Sequence, residues 1–486
     1  MTSPTATTSA ELDALAEAAA AAAPIWRTSS AADRAAWLRA VADELDAHAD
    51  ELVEIADAET HLGATRLRGE VGRTTGQLRL FATVVEEGSY LEVTIDDADA
   101  AAAPPRPELR RILVGVGPVA VFAASNFPFA FSVVGGDTAS ALAAGNPVIV
   151  KAHSGHPRLS ERTAELAAGA LVGAGAPVGS LGLVTGREAG NALVQHPIIQ
   201  AAGFTGSLSG GRALFDLASG RPDPIPFYGE LGSVNPVVIT LGAAAGRGET
   251  LAAGLAGSFT LGVGQFCTKP GVVFVPAGAG FEELVAAHVT SVSGGPLLTE
   301  RITEAFPSGI ASLEQDSSVS VVARGVEASG AAQPIVLATD ALAVAERPDV
   351  LLEECFGPVT LLVRYGDQAD LVAALRAVPG SLTATLHSEP GDDVADVLEV
   401  LQGKAGRVLF SGWPTGVAVT WSQQHGGPWP ATTSLHTSVG ASAIRRFLRP
   451  LVFQDAPERL LPPQLRDDAL AALPHRRNGV LRVPAS

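Results

Sequence analysis

Val119-Ala-Val-Phe-Ala-Ala124 is an unbroken apolar run, entered through Gly117-Pro118 and left through Ser125-Asn-Phe-Pro128. A run this short, bounded by turn residues and holding β-branched and aromatic side chains, predicts a strand buried on both faces. Asn146-Pro-Val-Ile-Val-Lys151 repeats the pattern, with a helix predicted between them over Phe131–Ala144. The alternation continues as helix Ser160–Ala174, strand Leu181–Thr185, helix Glu188–His196, strand Ala201–Thr205 and helix Gly211–Ser219. Strands and helices taking turns in this way predict a mostly parallel α/β sheet.

A second α/β unit follows between Leu251 and Gly440, with strands at Gly271–Val275, Ser318–Val322, Val359–Tyr365 and Arg407–Phe410. Upstream, residues 9–87 read as helices, because Leu12, Leu15, Ala19 and Ala22, and then Trp37, Leu38, Val41, Leu45 and Leu52, recur at helical spacing. Leu91–Asp97 and Leu109–Val116 read as strands around Pro104, Pro105 and Pro107, an extended hairpin arm. The Pro- and Arg-rich tail after Pro450 reads as a peripheral strand plus loop.

At about 150 residues per domain, 486 residues leave room for about three domains. The net charge of −18 argues against nucleic acid or an anionic membrane as partner. Only three of the 33 basic residues are lysines: Lys151, Lys269 and Lys404. The two cysteines, Cys267 and Cys355, are expected to be thiols, since a large core needs no disulfide. The N-terminus has no basic leader and Ala18–Ala23 is too short to span a bilayer, so a cytoplasmic location is expected.

Three segments carry chemistry. In Gly262-Val-Gly-Gln-Phe-Cys-Thr-Lys-Pro270 a cysteine sits in a Gly-rich turn before a strand, placed like an exposed nucleophile. In Pro226-Phe-Tyr-Gly-Glu-Leu-Gly-Ser-Val-Asn-Pro236, Glu230 is poorly solvated, and burial is expected to raise its pKa towards that of a useful general base. In Phe122-Ala-Ala-Ser-Asn-Phe-Pro128, Asn126 stands at the carboxyl end of a strand, where ligand groups gather and an amide can donate to an oxyanion.

Together, in this order, these segments resemble the aldehyde dehydrogenase superfamily, and the likeness runs over nearly the whole chain. Asn146–Lys151, Phe204-Thr-Gly-Ser207 and Glu353-Glu-Cys-Phe-Gly-Pro358 also match. The resemblance implies that Cys267 is the nucleophile, that Asn126 and the Cys267 N–H form the oxyanion hole, and that Glu230 activates water. It also implies that Glu354 holds the nicotinamide ribose and that Phe356 packs near the nicotinamide. The implied architecture is a Rossmann-like cofactor domain (1–90 and 117–235), an α/β catalytic domain (236–449), and a β-hairpin oligomerisation arm with the tail (91–116 and 450–486). A homodimer or homotetramer is expected.

Gly206-Ser-Leu-Ser-Gly-Gly211 joins strand to helix and can offer N–H groups to a pyrophosphate. Many NAD-preferring members carry Glu where Ser154 stands. A serine there can donate to a 2′-phosphate, Lys151 adds charge, and Arg187 and Arg212 are candidate phosphate partners, so NADP is expected, with NAD also usable. Cys355 is read as core, and His153, His156, His425 and His436 have no metal-ligand spacing, so no metal is expected.

Gly69–Gln77, Gln402–Arg407, Gly412–Gly416, His425–Thr433, Ser438–Gly440 and Ile444–Pro450 resemble the branch that holds 2,5-dioxopentanoate (α-ketoglutarate semialdehyde) dehydrogenases and an NADP-dependent fatty aldehyde dehydrogenase. Arg66, Glu70, Arg73 and Gln77 share one helical face. The resemblance places this helix beside the substrate tunnel, with Arg73 as the anchor for a distal carboxylate. The alternative is a solvated face on which Glu70 pairs with Arg73 or Arg66. Phe127, Phe129, Phe131 and Phe259 would also suit a plain aliphatic aldehyde. The rival classes are a CoA-acylating relative, which commonly lacks the general base that Glu230 supplies, and a non-catalytic one.

Overall fold

The computed structural model describes residues 5–484. Four helices, Ser9–Thr28, Ala31–Ala47, Ala49–Thr60 and Ala64–Glu87, open the chain. The first two start at capping boxes, Thr8 with Glu11 and Ser30 with Asp33, which satisfy N–H groups that helix geometry leaves unpaired. Their apolar faces meet in one core, where Trp26 and Trp37 pack edge to face at 4.7 Å.

The first α/β unit is a five-stranded parallel sheet in the order Leu181–Val184, Val148–Lys151, Val119–Phe122, Ala201–Thr205, Phe227–Glu230. The chain builds outward from Val119–Phe122 to one edge, then returns to build the other. The carboxyl ends of Val119–Phe122 and Ala201–Thr205 therefore flank a switch point, where open α/β sheets bind their ligands. The second unit is a seven-stranded sheet in the order Ser320–Arg324, Ile335–Asp340, Val359–Tyr365, Val272–Pro276, Val237–Ile239, Ser381–His387, Ala405–Phe410. Only Ser320–Arg324 is antiparallel in it.

The arm is more than a hairpin. Val93–Asp96 and Leu109–Gly115 pair antiparallel, and three tail strands, Leu448–Gln454, His475–Arg477 and Val480–Arg482, extend them to a five-stranded sheet. The helix expected over Phe131–Ala144 is confined to Gly136–Ala143. Phe129 and Ala130 give their N–H groups to the Glu70 carboxylate, and the chain stays in turns until Gly135. No helix among the described residues is long and apolar enough to cross a membrane.

Candidate active site

Asn126 follows the central strand Val119–Phe122 and is buried. Its Nδ2 donates to the Gln265 carbonyl at 3.1 Å, which leaves its second hydrogen uncommitted. Gln265 lies two residues before Cys267, so the amide and the thiol are brought together from different sheets.

The turn that presents Cys267 is unusual in backbone. Gly262, Val263 and Gly264 all have left-handed φ values of 57°, 58° and 67°. A β-branched residue in that region costs on the order of 1–3 kcal/mol and persists only where its surroundings hold it. Gly264 has a second constraint, since a Cβ there would overlap the Gly357 carbonyl. From below, the Asn235 amide donates to the carbonyls of Cys267 (2.8 Å) and Lys269 (2.9 Å). The buried Lys269 ammonium donates to the carbonyls of Cys355 (2.7 Å), Gly357 (3.0 Å) and Val359 (2.9 Å). The turn that carries Cys267 and the segment that carries Glu354 and Phe356 are thus tied together.

Cys267 is half-buried, and its Sγ lies 3.5 Å from His425 Nε2. The same nitrogen lies 2.9 Å from Glu230 Oε1, and Ser438 Oγ donates to Glu230 Oε2 at 2.6 Å. Ligand atoms of Glu230, Cys267 and His425 fall within 4.8 Å of one another. His425 and Ser438 were not among the residues expected here. The signal was present in the stretches His425–Thr433 and Ser438–Gly440, which set this chain apart from the superfamily at large. They reach the site because Thr432 bridges Glu230 and Leu231 N–H donates to the Ala431 carbonyl.

Burial pushes the Cys267 thiol well above its ordinary pKa, the Glu230 carboxylate adds to that, and Arg73 opposes it. Glu230 departs from expectation. Burial does push its pKa up, but His425, Ser438 and Cys267 together outweigh burial and hold it below the usual carboxylate value. At neutral pH the carboxylate form is therefore the stable one.

On the cofactor side, Ser207 caps the helix Leu208–Ser219 by accepting from Gly210 N–H at 3.2 Å, and Gly206 N–H bonds back to the Glu230 carbonyl. A side chain at Gly211 would run into Leu231. Gly206, Ser207, Leu208 and Ser209 are exposed at the sheet's carboxyl end, a helix N-terminus open to an anion. Lys151 is half-buried, Ser154 is exposed in the next turn, and Arg187 is exposed at the start of helix Arg187–Gln195. Arg212 pairs instead with Asp216 at 2.9 Å. Burial pushes Glu354 up to about 7, against the pull of Lys269 and a Ser233 N–H. Phe356 and Cys355 are half-buried, and Cys355 packs against the catalytic-unit core as expected.

On the opposite side, Phe127 packs edge to face on Phe131 (5.5 Å) and on Phe266 (5.3 Å). Phe129 and Phe259 were expected with them, but both are buried in the cores, and Phe266 takes the place in the aromatic wall. The Arg73 guanidinium lies over Phe127 (5.6 Å) and Phe131 (5.5 Å).

The chain was compared with known proteins. The chain is 47% identical over 468 residues to alpha-ketoglutaric semialdehyde dehydrogenase 2 of Azospirillum brasilense, covering 93% of this chain and 88% of that one. It is 42% identical to the alpha-ketoglutaric semialdehyde dehydrogenase of Acinetobacter baylyi, covering 97% and 91%. Its fold matches that of aldehyde dehydrogenase 21 from Physcomitrella patens, solved with the reaction product succinate, at a TM-score of 0.77, 20% identity, and coverage of 92% and 91%. The profile of the aldehyde dehydrogenase family matches residues 1–448, and the chain belongs to that family.

Proposed function

We propose that this NAD(P)-dependent aldehyde dehydrogenase oxidises 2,5-dioxopentanoate to 2-oxoglutarate, with NADP the preferred cofactor. The observation that carries the substrate is Arg73. It has no carboxylate partner among the described residues, and its guanidinium lies against Phe127 and Phe131 within electrostatic reach of Cys267 and Glu230. Arg73 is half-buried and forms no salt bridge among the described residues, although Glu70 on its own helix exerts the largest Coulombic pull on it, and its guanidinium can take an incoming carboxylate. Two relatives named for this semialdehyde support the same reading.

In this reading the Cys267 thiol loses its proton to solvent water, with the Arg73 charge favouring the thiolate, and sulfur attacks the aldehyde carbon while His425 Nε2–H donates to the Glu230 carboxylate. Asn126 Nδ2 and the Cys267 N–H stabilise the oxyanion, each donor contributing about 2.7–4 kcal/mol. The exposed helix N-terminus at Gly206–Ser209 would hold a pyrophosphate, Glu354 would hold the ribose and Phe356 would pack at the ring. The nicotinamide, when bound, supplies the hydride acceptor. Glu230, steadied by Ser438, then activates the water that hydrolyses the Cys267 thioester.

The wall formed by Phe127, Phe131 and Phe266 favours one competitor, a plain aliphatic aldehyde. Arg73→Ala separates the two. It is expected to lower kcat/KM for 2,5-dioxopentanoate about 10–100-fold, since a charge-assisted bond contributes about 1.5–3 kcal/mol, and to leave hexanal oxidation nearly unchanged. Equal effects on both substrates would remove Arg73 from recognition.

Preference for NADP rests on Ser154, with Lys151 and Arg187 as further candidate partners of a 2′-phosphate. Ser154→Glu is expected to shift the NADP/NAD ratio of kcat/KM towards NAD by about 5–150-fold, through one lost donor and one added repulsion. An unchanged ratio would place Ser154 away from the ribose. We further propose that 91–116 and 450–486 act as an oligomerisation arm on the 1–90/117–235 cofactor and 236–449 catalytic domains, giving a homodimer or homotetramer in the cytoplasm. Val452, Val480 and Leu481 on its two edge strands are exposed, which favours covering by another subunit.

A further inference from the structure

Within Gly69–Gln77, Glu70 makes neither of the pairs that its spacing predicts. It is 4% exposed, one turn from Arg66 and one from Arg73, yet it forms a salt bridge with neither. Its Oε1 accepts from Phe129 N–H at 2.8 Å and from Ala130 N–H at 3.0 Å. Those two amides have no backbone acceptor. One turn earlier on the same helix, Arg66 Nη2 donates to the Asn126 carbonyl at 2.8 Å. The helix Ala64–Glu87 therefore holds the segment Asn126–Ala130 at three points, beginning at the residue whose amide faces the nucleophile turn.

We propose that Glu70, with Arg66, is a positioning residue for the Asn126 amide. It touches neither substrate nor cofactor, and acts by fixing the loop from which that amide projects. The inference rests on reading Asn126 as an oxyanion donor. Such a donor contributes only when it is already aimed, because a loop that must reorganise in the transition state forfeits most of the gain. Burial also pushes Glu70 up to about 7, against the two N–H groups and both arginines. A carboxyl kept in so unfavourable a place holds two amides that a hydrophobic residue would leave unpaired.

The test is a double-mutant cycle in the full-length enzyme. Glu70→Ala is expected to lower kcat about 10–100-fold, a large part of the donor's own effect, with KM for NADP and the rate of Cys267 alkylation by iodoacetamide unchanged. Glu70→Gln keeps an acceptor oxygen at the same place and should restore most of the loss. On an Asn126→Ala background, Glu70→Ala should cost no more than about 2-fold, because its target is gone. If Glu70→Ala gives no folded protein, Arg66→Met runs the same cycle. Undiminished activity in Glu70→Ala, failure of Glu70→Gln to restore it, or full additivity with a damaging Asn126→Ala would each overturn the proposal. Wild-type activity in Asn126→Ala itself would remove the oxyanion reading and this inference with it.

Discussion

Cys267→Ser is expected to lower aldehyde-dependent NADPH formation by on the order of 10³-fold or more, with cofactor binding near normal. The hydroxyl is far less acidic than the thiol it replaces, and the thiol is itself pushed upward by burial and by Glu230. The loss should come from the attack step alone. The Asn235 amide holds position 267 through its carbonyl, a contact that serine keeps. Fluorescence titration with NADP, set beside the steady-state rate, checks both halves. Turnover at the wild-type rate would sink the thioester mechanism.

Glu230→Gln is expected to separate the two half-reactions. Attack and hydride loss should survive, since the thiol proton leaves to solvent water rather than to Glu230, while hydrolysis stalls for want of a base. A pre-steady-state burst of NADPH close to one per active site, followed by turnover slowed about 10²–10⁴-fold, is the expected trace. Because Glu230 is held below its ordinary pKa, the wild-type hydrolysis step should lose no activity to its protonation near neutrality, and the loss should appear only in acid. A mutant with no burst would move Glu230 to the attack step.

Much of this was legible locally. The strand Val119–Phe122 and the alternation after it are set by short-range apolar patterning, which survives in a single sequence. Asn126, Glu230 and Cys267 stand beside glycines, prolines and aromatics that mark them as lying on turns or strand ends. Val237–Ile239 and Ile335–Asp340 were missed although both are apolar runs, and two other missed strands have weak patterning. Phe227–Glu230 contains a glycine and a charge, and Ser381–His387 buries two threonines, a serine and a histidine along with its two leucines. Contacts across long separations were invisible. Ser438 and His425 lie about 200 residues from Glu230, and they reverse the direction of its pKa shift. Glu70 was expected to pair along its own helix, but unpaired backbone amides from residues 129 and 130 claimed it first.

The Lys269 contacts bear on a chemical hazard. A free amine next to an aldehyde condenses to an imine, and a lysine two residues from the nucleophile is well placed to be trapped in that way. Here the nitrogen is buried at 3% exposure, with its three hydrogens directed to three carbonyls. Held as an ammonium it has no lone pair to offer, and its charge ties two loops together, so the aldehyde meets sulfur and no competing amine from this residue.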